Sequence, residues 1–461
     1  MNTPKIVQND PYLTPYKDII LRRLQNAEKK EKEITSGVKS LAEFALGHLY
    51  FGLHKEEEYW VIREWAPNAV EMYLIGQFSD WKVDKKFAFK RLHHGQWEIK
   101  IPRPILKHGD LYRLFIRWPG GEGDRIPAWA WRVVQDPHTY IFNAQVWDPP
   151  VPYEWKYYKE YKRSFTYPLI YEAHIGMATE EERIGTYEDF RRHVLPRIIK
   201  AGYNTIQLMA IQEHPYYGSF GYHVTSFFAA SSRFGTPEEL KALIDEAHGA
   251  GLCVIMDLVH SHAAKNEVEG ISRFDGTLYQ YFHDGVRGNH YYWDSRCFDY
   301  GKPEVLHFLL SNCQFWLTEY NFDGFRFDGV TSIIYYDHGM LRSFDHYDRY
   351  FDNGQDEDAI TYLILANKLI HDIKPEAITI AEEVSGMPGL AAPLEWGGIG
   401  FDYRLAMGVP DYWIKIIKEV PDEKWHVAKI FYELIKHRDD EKTISYAESH
   451  DQALVGDKTI I

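Results

Sequence analysis

From about residue 167 onward, short strand-like segments of buried character alternate with amphipathic helices, and this alternation constrains the fold more than any other feature. It predicts parallel strands joined by crossover helices. The predicted strands are 169–174, 203–209, 252–258, 322–328, 377–383, a weak one at 398–403, and 443–448. Helical stretches such as 236–251 and 303–320 lie between them. This many units favours an α/β fold, a (β/α)8 TIM barrel, over an open sheet.

The barrel pattern stops before an eighth strand can be recognised, because the sequence ends at Ile461, soon after the seventh. A barrel without its closing strand has an unpaired edge, which is unfavourable for an isolated domain. We therefore expect residues 151–461 to form a barrel that is incomplete at its C-terminal end, in a chain that is a fragment of a longer protein.

Two further regions precede the barrel. Residues 46–150 contain the strings YWVIREWAP, AVEMYLIG, GQWEIKIP and LYRLFIRW between Gly, Pro, Asn and Asp residues, which predicts a β-sandwich. Residues 1–45 predict a helical segment in which Ile19, Leu21 and Leu24 have amphipathic spacing and dock on the neighbouring domain.

Composition excludes some classes of function. The net charge is −15 and no basic run is present, which argues against nucleic-acid binding and suits a neutral substrate. Aromatic residues make up 16% of the chain; they are consistent with sugar-binding surfaces and equally with a large core.

Cysteine usage and the chain start indicate the compartment. Cys253, Cys297 and Cys313 are odd in number and lack CxxC spacing, so a disulfide scaffold or a structural zinc site is not expected. The sequence has no apolar run of membrane-spanning length and no secretory signal at its start. We expect a cytoplasmic protein.

Acidic residues and histidines follow the predicted strands. In a barrel of this kind the active site forms at the C-terminal ends of the strands. The residues found there are Asp257, His260 and His262 after the third strand, Arg326 and Asp328 at the fourth, Glu382 and Glu383 at the fifth, and Glu448, His450 and Asp451 at the seventh. Their concentration on one rim predicts a catalytic site.

Paired carboxylates are the chemistry that glycoside cleavage requires. Arg326 and Asp328 are two residues apart on a strand and share a face, so the guanidinium would keep Asp328 ionised as a nucleophile needs. Glu382 would then be the proton donor, and we expect neighbouring carboxylates to raise its pKa. Asp451 could supply that charge and bind sugar hydroxyls.

Each of these residues also has a structural interpretation. His262 and His450 could donate hydrogen bonds to a sugar, or could satisfy local hydrogen bonds. Asp257 taken alone is more typical of a helix N-cap. Glu383 is ambiguous because alternation directs only one of two adjacent side chains into a barrel. The prediction therefore depends on the whole set.

Four motifs identify a family. DLVHSH (257–262), GFRFDGVTS (324–332), AEEVSG (381–386) and ESHDQ (448–452) resemble, in order, the signature segments of the α-amylase superfamily, glycoside hydrolase family 13. FGYHVTSFFAASSRFGTPEELK (220–241) and YNFDGFRFDGVTSIIYYDHG (320–339) resemble the eukaryotic-type glycogen and starch branching enzymes within it. WAPNAVEMYLIGQFSDW (65–81) resembles the starch-binding-like sandwich of these enzymes.

The resemblance implies roles for individual residues. Asp328 falls on the nucleophile, Glu382 on the general acid/base and Asp451 on the transition-state carboxylate. The implied substrate-binding positions are His262, Arg326, His450, Tyr222 and Asp257. The implied reaction is retaining transglycosylation, which cleaves an α-1,4 glucan bond and makes an α-1,6 branch. Retaining enzymes place their two carboxyl groups about 5–5.5 Å apart.

The resemblance also implies an α-1,4-glucan as the binding partner, no cofactor and no metal. The oligomeric state stays open, with a monomer favoured. The sequence departs from the family in lacking the closing strand and the C-terminal β-domain, and in having Glu383 where many members have Asp. Two alternatives stay open: another glucan hydrolase of the superfamily, or a non-catalytic glucan-binding fragment.

Overall fold

The computed structural model describes residues 3–453, which form two compact units. The first unit comprises Ile34–Gly324 and Leu369–Ala377. The second comprises the chain before residue 34, Phe325–Lys368, and the chain from Ile378 onward. Within residues 3–453, no helix is both long enough and apolar enough to cross a membrane.

Eleven α-helices are present in the described part of the chain. They are α1 Lys5–Asn9, α2 Lys17–Ile34, α3 Leu41–Phe44, α4 Tyr187–Asp189, α5 Leu195–Ala201, α6 Pro237–Gly249, α7 Pro303–Thr318, α8 Val330–Ile334, α9 Glu357–Ile373, α10 Gly408–Glu419 and α11 Val427–Ile435. The helices predicted at 236–251 and 303–320 correspond to α6 and α7. Local chemistry sets the start of α6, where Thr236 and Glu239 form a reciprocal capping box around Pro237.

The first unit begins with a β-sandwich of two antiparallel sheets. Its strands are β1 Gly52–Lys55, β2 Tyr59–Trp65, β3 Glu71–Gly76, β4 Lys90–Arg91, β5 Gln96–Pro102, β6 Leu111–Trp118, β7 Gly121–Arg125, β8 Val133–Gln135 and β9 Phe142–Gln145. One sheet has the order β1-β2-β5-β4 and the other β3-β6-β9-β8, with β7 beside β6. The four predicted strand strings correspond to β2, β3, β5 and β6.

The remaining strands belong to the α/β part of the chain. They are β10 Ile170–Ala173, β11 Thr205–Leu208, β12 Gln212–Glu213, β13 Ser226–Ala230, β14 Cys253–Leu258, β15 Ala263–Ala264, β16 Asn289–His290, β17 Ser295–Arg296, β18 Gly324–Phe327, β19 Ile378–Ala381, β20 Tyr403–Leu405 and β21 Thr443–Ile444. In the first unit β10, β11 and β14 pair in parallel. In the second unit the order is β18-β19-β20-β21, also parallel.

Strands occur at each predicted position, but the sixth begins later than predicted. Residues 398–402 precede β20 rather than forming it. Asp402 turns its carboxylate back onto the neighbouring strand, where it accepts a hydrogen bond from the Thr379 N–H at 2.8 Å. Gly400 has a positive φ of 95°, which bends the chain before the strand. The apolar character of this segment therefore reflects a packed turn.

The N-terminal helix α2 buries a different stripe from the predicted one. The buried positions are Ile20, Arg23 and Ala27, whereas Ile19, Leu21 and Leu24 are half-buried. The change follows from a buried charge: Arg23 Nη2 lies 3.0 Å from Glu357 Oε1 and 3.2 Å from the Tyr350 carbonyl, both in the same unit. An apolar periodicity cannot reveal a buried arginine that pairs with an acid far along the chain.

Glu64 in β2 is a buried acid with no countercharge among residues 3–453. Its side chain has no solvent exposure, and Oε1 accepts a weak hydrogen bond from the Trp129 N–H at 3.4 Å. Burial raises the pKa of Glu64 to about 8, in spite of backbone hydrogen bonds that lower it. The folded protein therefore binds this proton more tightly than the unfolded chain does, and stability declines as pH rises from about 4.5 to about 8.

Glu64→Gln should remove this pH dependence, because the amide is an uncharged isostere of the protonated acid. We expect similar melting temperatures for the two proteins at pH 4.5. The variant should be the more stable protein at pH 8.5, with a gain of up to about 1.4 kcal/mol per pH unit across the window. Thermal unfolding over this range, with the exposed Glu58→Gln as control, measures the effect. A constant difference at all pH values would contradict it.

Candidate active site

Asp328 directly follows β18 and is held by an arginine of the same strand. Arg326 Nη1 lies 2.9 Å from Asp328 Oδ1, and the Arg326 side chain is almost fully buried. Alternation along the strand puts both residues on one face, as predicted. Gly329 follows with a φ of 61°, a left-handed conformation that lets the chain turn sharply after the acid.

Glu382 follows the neighbouring strand β19 and reaches the same guanidinium. Arg326 Nη2 lies 3.1 Å from Glu382 Oε2. The Gly329 N–H donates to the same oxygen at 2.7 Å. One buried cation therefore holds both carboxyl groups, Asp328 through Nη1 and Glu382 through Nη2.

The prediction that neighbouring carboxylates raise the pKa of Glu382 is wrong for this structure. Burial does raise it, but the Arg326 guanidinium, the Gly329 N–H and His450 together outweigh burial and hold the pKa below its ordinary value. Strand spacing predicts a contact of Arg326 with Asp328 alone. The second Nη atom of Arg326 sets the direction of the Glu382 pKa shift, because a buried cation favours the ionised form of every acid that it contacts.

Asp451 and His450 belong to the same group. Arg326 Nη2 lies 3.9 Å from Asp451 Oδ2. His450 Nε2 lies 3.3 Å from Asp451 Oδ1. About a third of the Asp451 side chain is exposed, more than for the other two acids. In the second unit the structure thus brings together the five residues of this unit for which the resemblance implies a role.

The other three residues with an implied role form a group in the first unit: Tyr222, Asp257 and His262. The Tyr222 hydroxyl donates to Asp257 Oδ2 at 2.6 Å, and the Tyr222 carbonyl lies 2.8 Å from His262 Nε2. Gln207 Nε2 donates to Asp257 Oδ1 at 2.8 Å. Asp257 thereby fixes the tilt of the tyrosine ring.

The structure decides the roles of two strand-end residues, Asp257 and His260. Asp257 is not a helix N-cap, since it lies within β14 and is fully buried. His260 is also fully buried, and its Nε2 lies 3.0 Å from Asn312 Oδ1, so it satisfies a core hydrogen bond.

Glu383 belongs to a buried ion-pair network that strand spacing does not predict. It is paired with Arg404, whose Nη1 lies 3.1 Å from Glu441 Oε2. Glu383 also accepts hydrogen bonds from the Ser385 and Gly386 N–H groups at 2.6 and 3.0 Å. These bonds fix the loop that follows Glu382. No sequence signal paired the acid with an arginine 21 residues away.

Known proteins share both parts of the chain. Residues 50–138 match Carbohydrate-binding module 48 (Isoamylase N-terminal domain), and residues 192–284 match Alpha amylase, catalytic domain. Two pullulanase structures resemble the fold. The pullulanase from Bacillus acidopullulyticus has a TM-score of 0.64 at 17% sequence identity, and the match covers 87% of this chain and 52% of the pullulanase chain. The pullulanase from Paenibacillus barengoltzii has a TM-score of 0.59 at 17% sequence identity, and the match covers 78% of this chain and 58% of the pullulanase chain.

Relatives of higher identity extend along nearly the whole sequence. The chain is 51% identical to the 1,4-alpha-glucan-branching enzyme of Rhizophagus irregularis over 99% of this chain and 68% of that protein. It is 48% identical to the 1,4-alpha-glucan-branching enzyme of Dictyostelium discoideum, over 99% of this chain and 68% of that protein. This chain spans about two thirds of their length.

Fold and comparisons together place the protein in the α-amylase class, with a carbohydrate-binding module ahead of a (β/α)8-type catalytic domain. Within that class, the chain belongs to the 1,4-alpha-glucan-branching enzyme family. The predicted fold class and family are confirmed.

Proposed function

We propose that this protein is a 1,4-α-glucan branching enzyme of glycogen biosynthesis. It cleaves an α-1,4 bond of a linear glucan and transfers the released chain to a 6-hydroxyl, which makes an α-1,6 branch. The observation that carries the proposal is the single guanidinium of Arg326 that holds both Asp328 and Glu382. Membership of the branching enzyme family supports the choice of transfer over hydrolysis.

Asp328 is the nucleophile of the first step. Its carboxylate oxygen attacks the anomeric carbon as the bond to the departing glucan oxygen breaks, and Glu382 protonates that oxygen. The attack leaves a covalent glycosyl–Asp328 ester. Inverting enzymes separate their carboxyl groups by about 6.5–9.5 Å to admit a water molecule. Asp328 and Glu382 instead share the guanidinium of one arginine, at 2.9 and 3.1 Å, and this close placement supports a retaining reaction.

Glu382 reverses its role in the second step. Its carboxylate removes the proton of an acceptor 6-hydroxyl, whose oxygen attacks the anomeric carbon and displaces the Asp328 carboxylate. Arg326, Gly329 and His450 keep Glu382 ionised before a glucan binds. We infer that it takes up its proton as the glucan excludes water, because deeper burial adds to the effect that already raises its pKa.

The other candidate residues bind the sugar. Asp451 and His450 contact hydroxyls of the ring that distorts during cleavage, and Asp451 stabilises the positive charge that develops there. Tyr222 provides an apolar face for a pyranose ring, with Asp257 holding its hydroxyl. His262 donates a hydrogen bond to a sugar hydroxyl. This route needs only carboxylates, a guanidinium and hydrogen-bond donors, so we propose no cofactor or metal.

The sandwich would hold long glucan chains near the site and raise their effective concentration. We further propose a cytoplasmic monomer. The three cysteines all lie within the described residues and form no disulfide, which is consistent with a reducing compartment.

The test uses the purified protein on linear amylose, with iodine absorbance and reducing ends followed together. Branching predicts falling iodine colour at a constant reducing-end titre, with α-1,6 linkages detected by NMR. Falling colour with rising reducing ends would instead assign a hydrolase of the superfamily. Binding of glucan with no change in either signal would assign a non-catalytic glucan-binding protein.

A further inference from the structure

A short hairpin in the first unit carries three exposed aromatic side chains at its tip. Strands β16 and β17 pair antiparallel, and the turn between them presents Tyr291, Tyr292 and Trp293. Their exposed fractions are 71%, 52% and 37%. Adjacent large rings open to solvent form an apolar patch of the kind that marks a binding site.

The hairpin is anchored to the segment that carries His262. Strand β17 also pairs with β15, which directly follows this histidine, so that Ala263 lies opposite Arg296. Arg296 Nη1 in turn donates to Asn289 Oδ1 across the hairpin at 2.7 Å. The tip is thus attached to a small three-stranded sheet, and its rings need little ordering when a ligand binds.

Trp293 connects the hairpin with the tyrosine group of the candidate site. Its ring stacks on His290, with centroids 4.1 Å apart and an interplanar angle of 6°. The same ring lies 5.0 Å from the His262 ring. His223, the residue after Tyr222, hydrogen-bonds to the Trp293 backbone. Contacts through the buried His262 ring and the His223 side chain therefore link the tyrosine group to the hairpin tip.

We propose that residues 291–293 form an aromatic platform for an α-1,4-glucan chain, continuous with the sugar held at Tyr222 and His262. Pyranose rings present apolar C–H faces that pack on aromatic rings, while their hydroxyl edges stay hydrated. The inference rests on the proposed function, because it takes the tyrosine group as the neighbouring sugar contact. The platform engages only chains long enough to reach it, and so selects for longer glucans.

The test measures binding to variants in an Asp328→Asn background, so that the glucan is not consumed. Trp293→Ala, and Tyr291→Ala combined with Tyr292→Ala, should bind a long linear maltodextrin roughly five- to tenfold more weakly. Affinity for maltotriose should be unchanged. Trp293→Phe keeps a ring and should retain most of the affinity. Tyr167→Ala is the matched control, because this tyrosine is 73% exposed outside the hairpin.

Unchanged maltodextrin affinity in both hairpin variants would overturn the inference. Equal weakening for maltotriose and maltodextrin would also overturn it, since that pattern indicates damage to the tyrosine group. The same hairpin changes in the active protein separate this inference from the proposed function. Absence of α-1,6 linkages from the unmodified protein rejects the function, whereas normal branching with unaltered chain lengths in the variants rejects the platform alone.

Discussion

Asp328→Asn should abolish chain transfer while the protein stays folded. The amide has nearly the shape of the carboxylate, but its oxygen cannot form the glycosyl ester. Loss of a covalent nucleophile lowers kcat by roughly 10⁴-fold or more. The measurement is the initial rate of iodine-colour loss on amylose, with α-1,6 linkages counted by NMR.

The matched control is Asp10→Asn. Asp10 also pairs with an arginine in the second unit, Arg438 at 2.8 Å, and its side chain is 15% exposed against 12% for Asp328. This variant loses a comparable ion pair and should keep its kcat close to that of the unmodified protein. Equal activity losses in the two variants would show that the effect at Asp328 is structural.

Glu382→Gln should lower the rate on amylose by roughly 10²–10⁴-fold, the usual contribution of general acid–base catalysis. An α-maltosyl fluoride should escape most of this loss, because fluoride leaves without being protonated. The second step still lacks its base, so the glycosyl–Asp328 ester should accumulate and be detectable by mass spectrometry. Azide needs no deprotonation and should release the ester as an α-glycosyl azide.

Glu383→Gln is the control for this experiment. Glu383 is adjacent in sequence but is paired with Arg404, so its loss should lower thermal stability without selective rescue by the fluoride substrate. If Glu382→Gln loses activity equally on amylose and on the fluoride, Glu382 does not act by proton transfer. Formation of a β-glycosyl azide would contradict the retaining mechanism.

Much of the fold could be predicted because its determinants are local. The spacing of apolar residues encodes the strands, and Thr236, Pro237 and Glu239 mark the start of α6 within a few residues of one another. The weakest prediction, the strand at 398–403, failed at its start because Asp402 bonds to Thr379, 23 residues earlier. Nothing in the local sequence encodes that contact.

The candidate site was predictable as a set of residues but not as an electrostatic arrangement. Acids at strand ends follow from strand position, and parallel strands bring those ends to one rim. The direction of the Glu382 pKa shift depends on which atoms of Arg326 it meets, and the prediction of a raised pKa was therefore wrong. The role of Glu383 likewise depended on a partner far along the chain.

The sequence by itself determined the α/β alternation, the sandwich that precedes it, the family, and which acids and histidines are candidates for chemistry. These are properties of spacing and residue type, which a linear chain carries in full. Only the tertiary structure decided that one guanidinium serves both Asp328 and Glu382. It also decided that Glu64 is buried with no countercharge among residues 3–453, and that Trp293 lies against His262. Charge interactions and surfaces depend on distances through space, and folding sets those distances between residues that are remote in sequence.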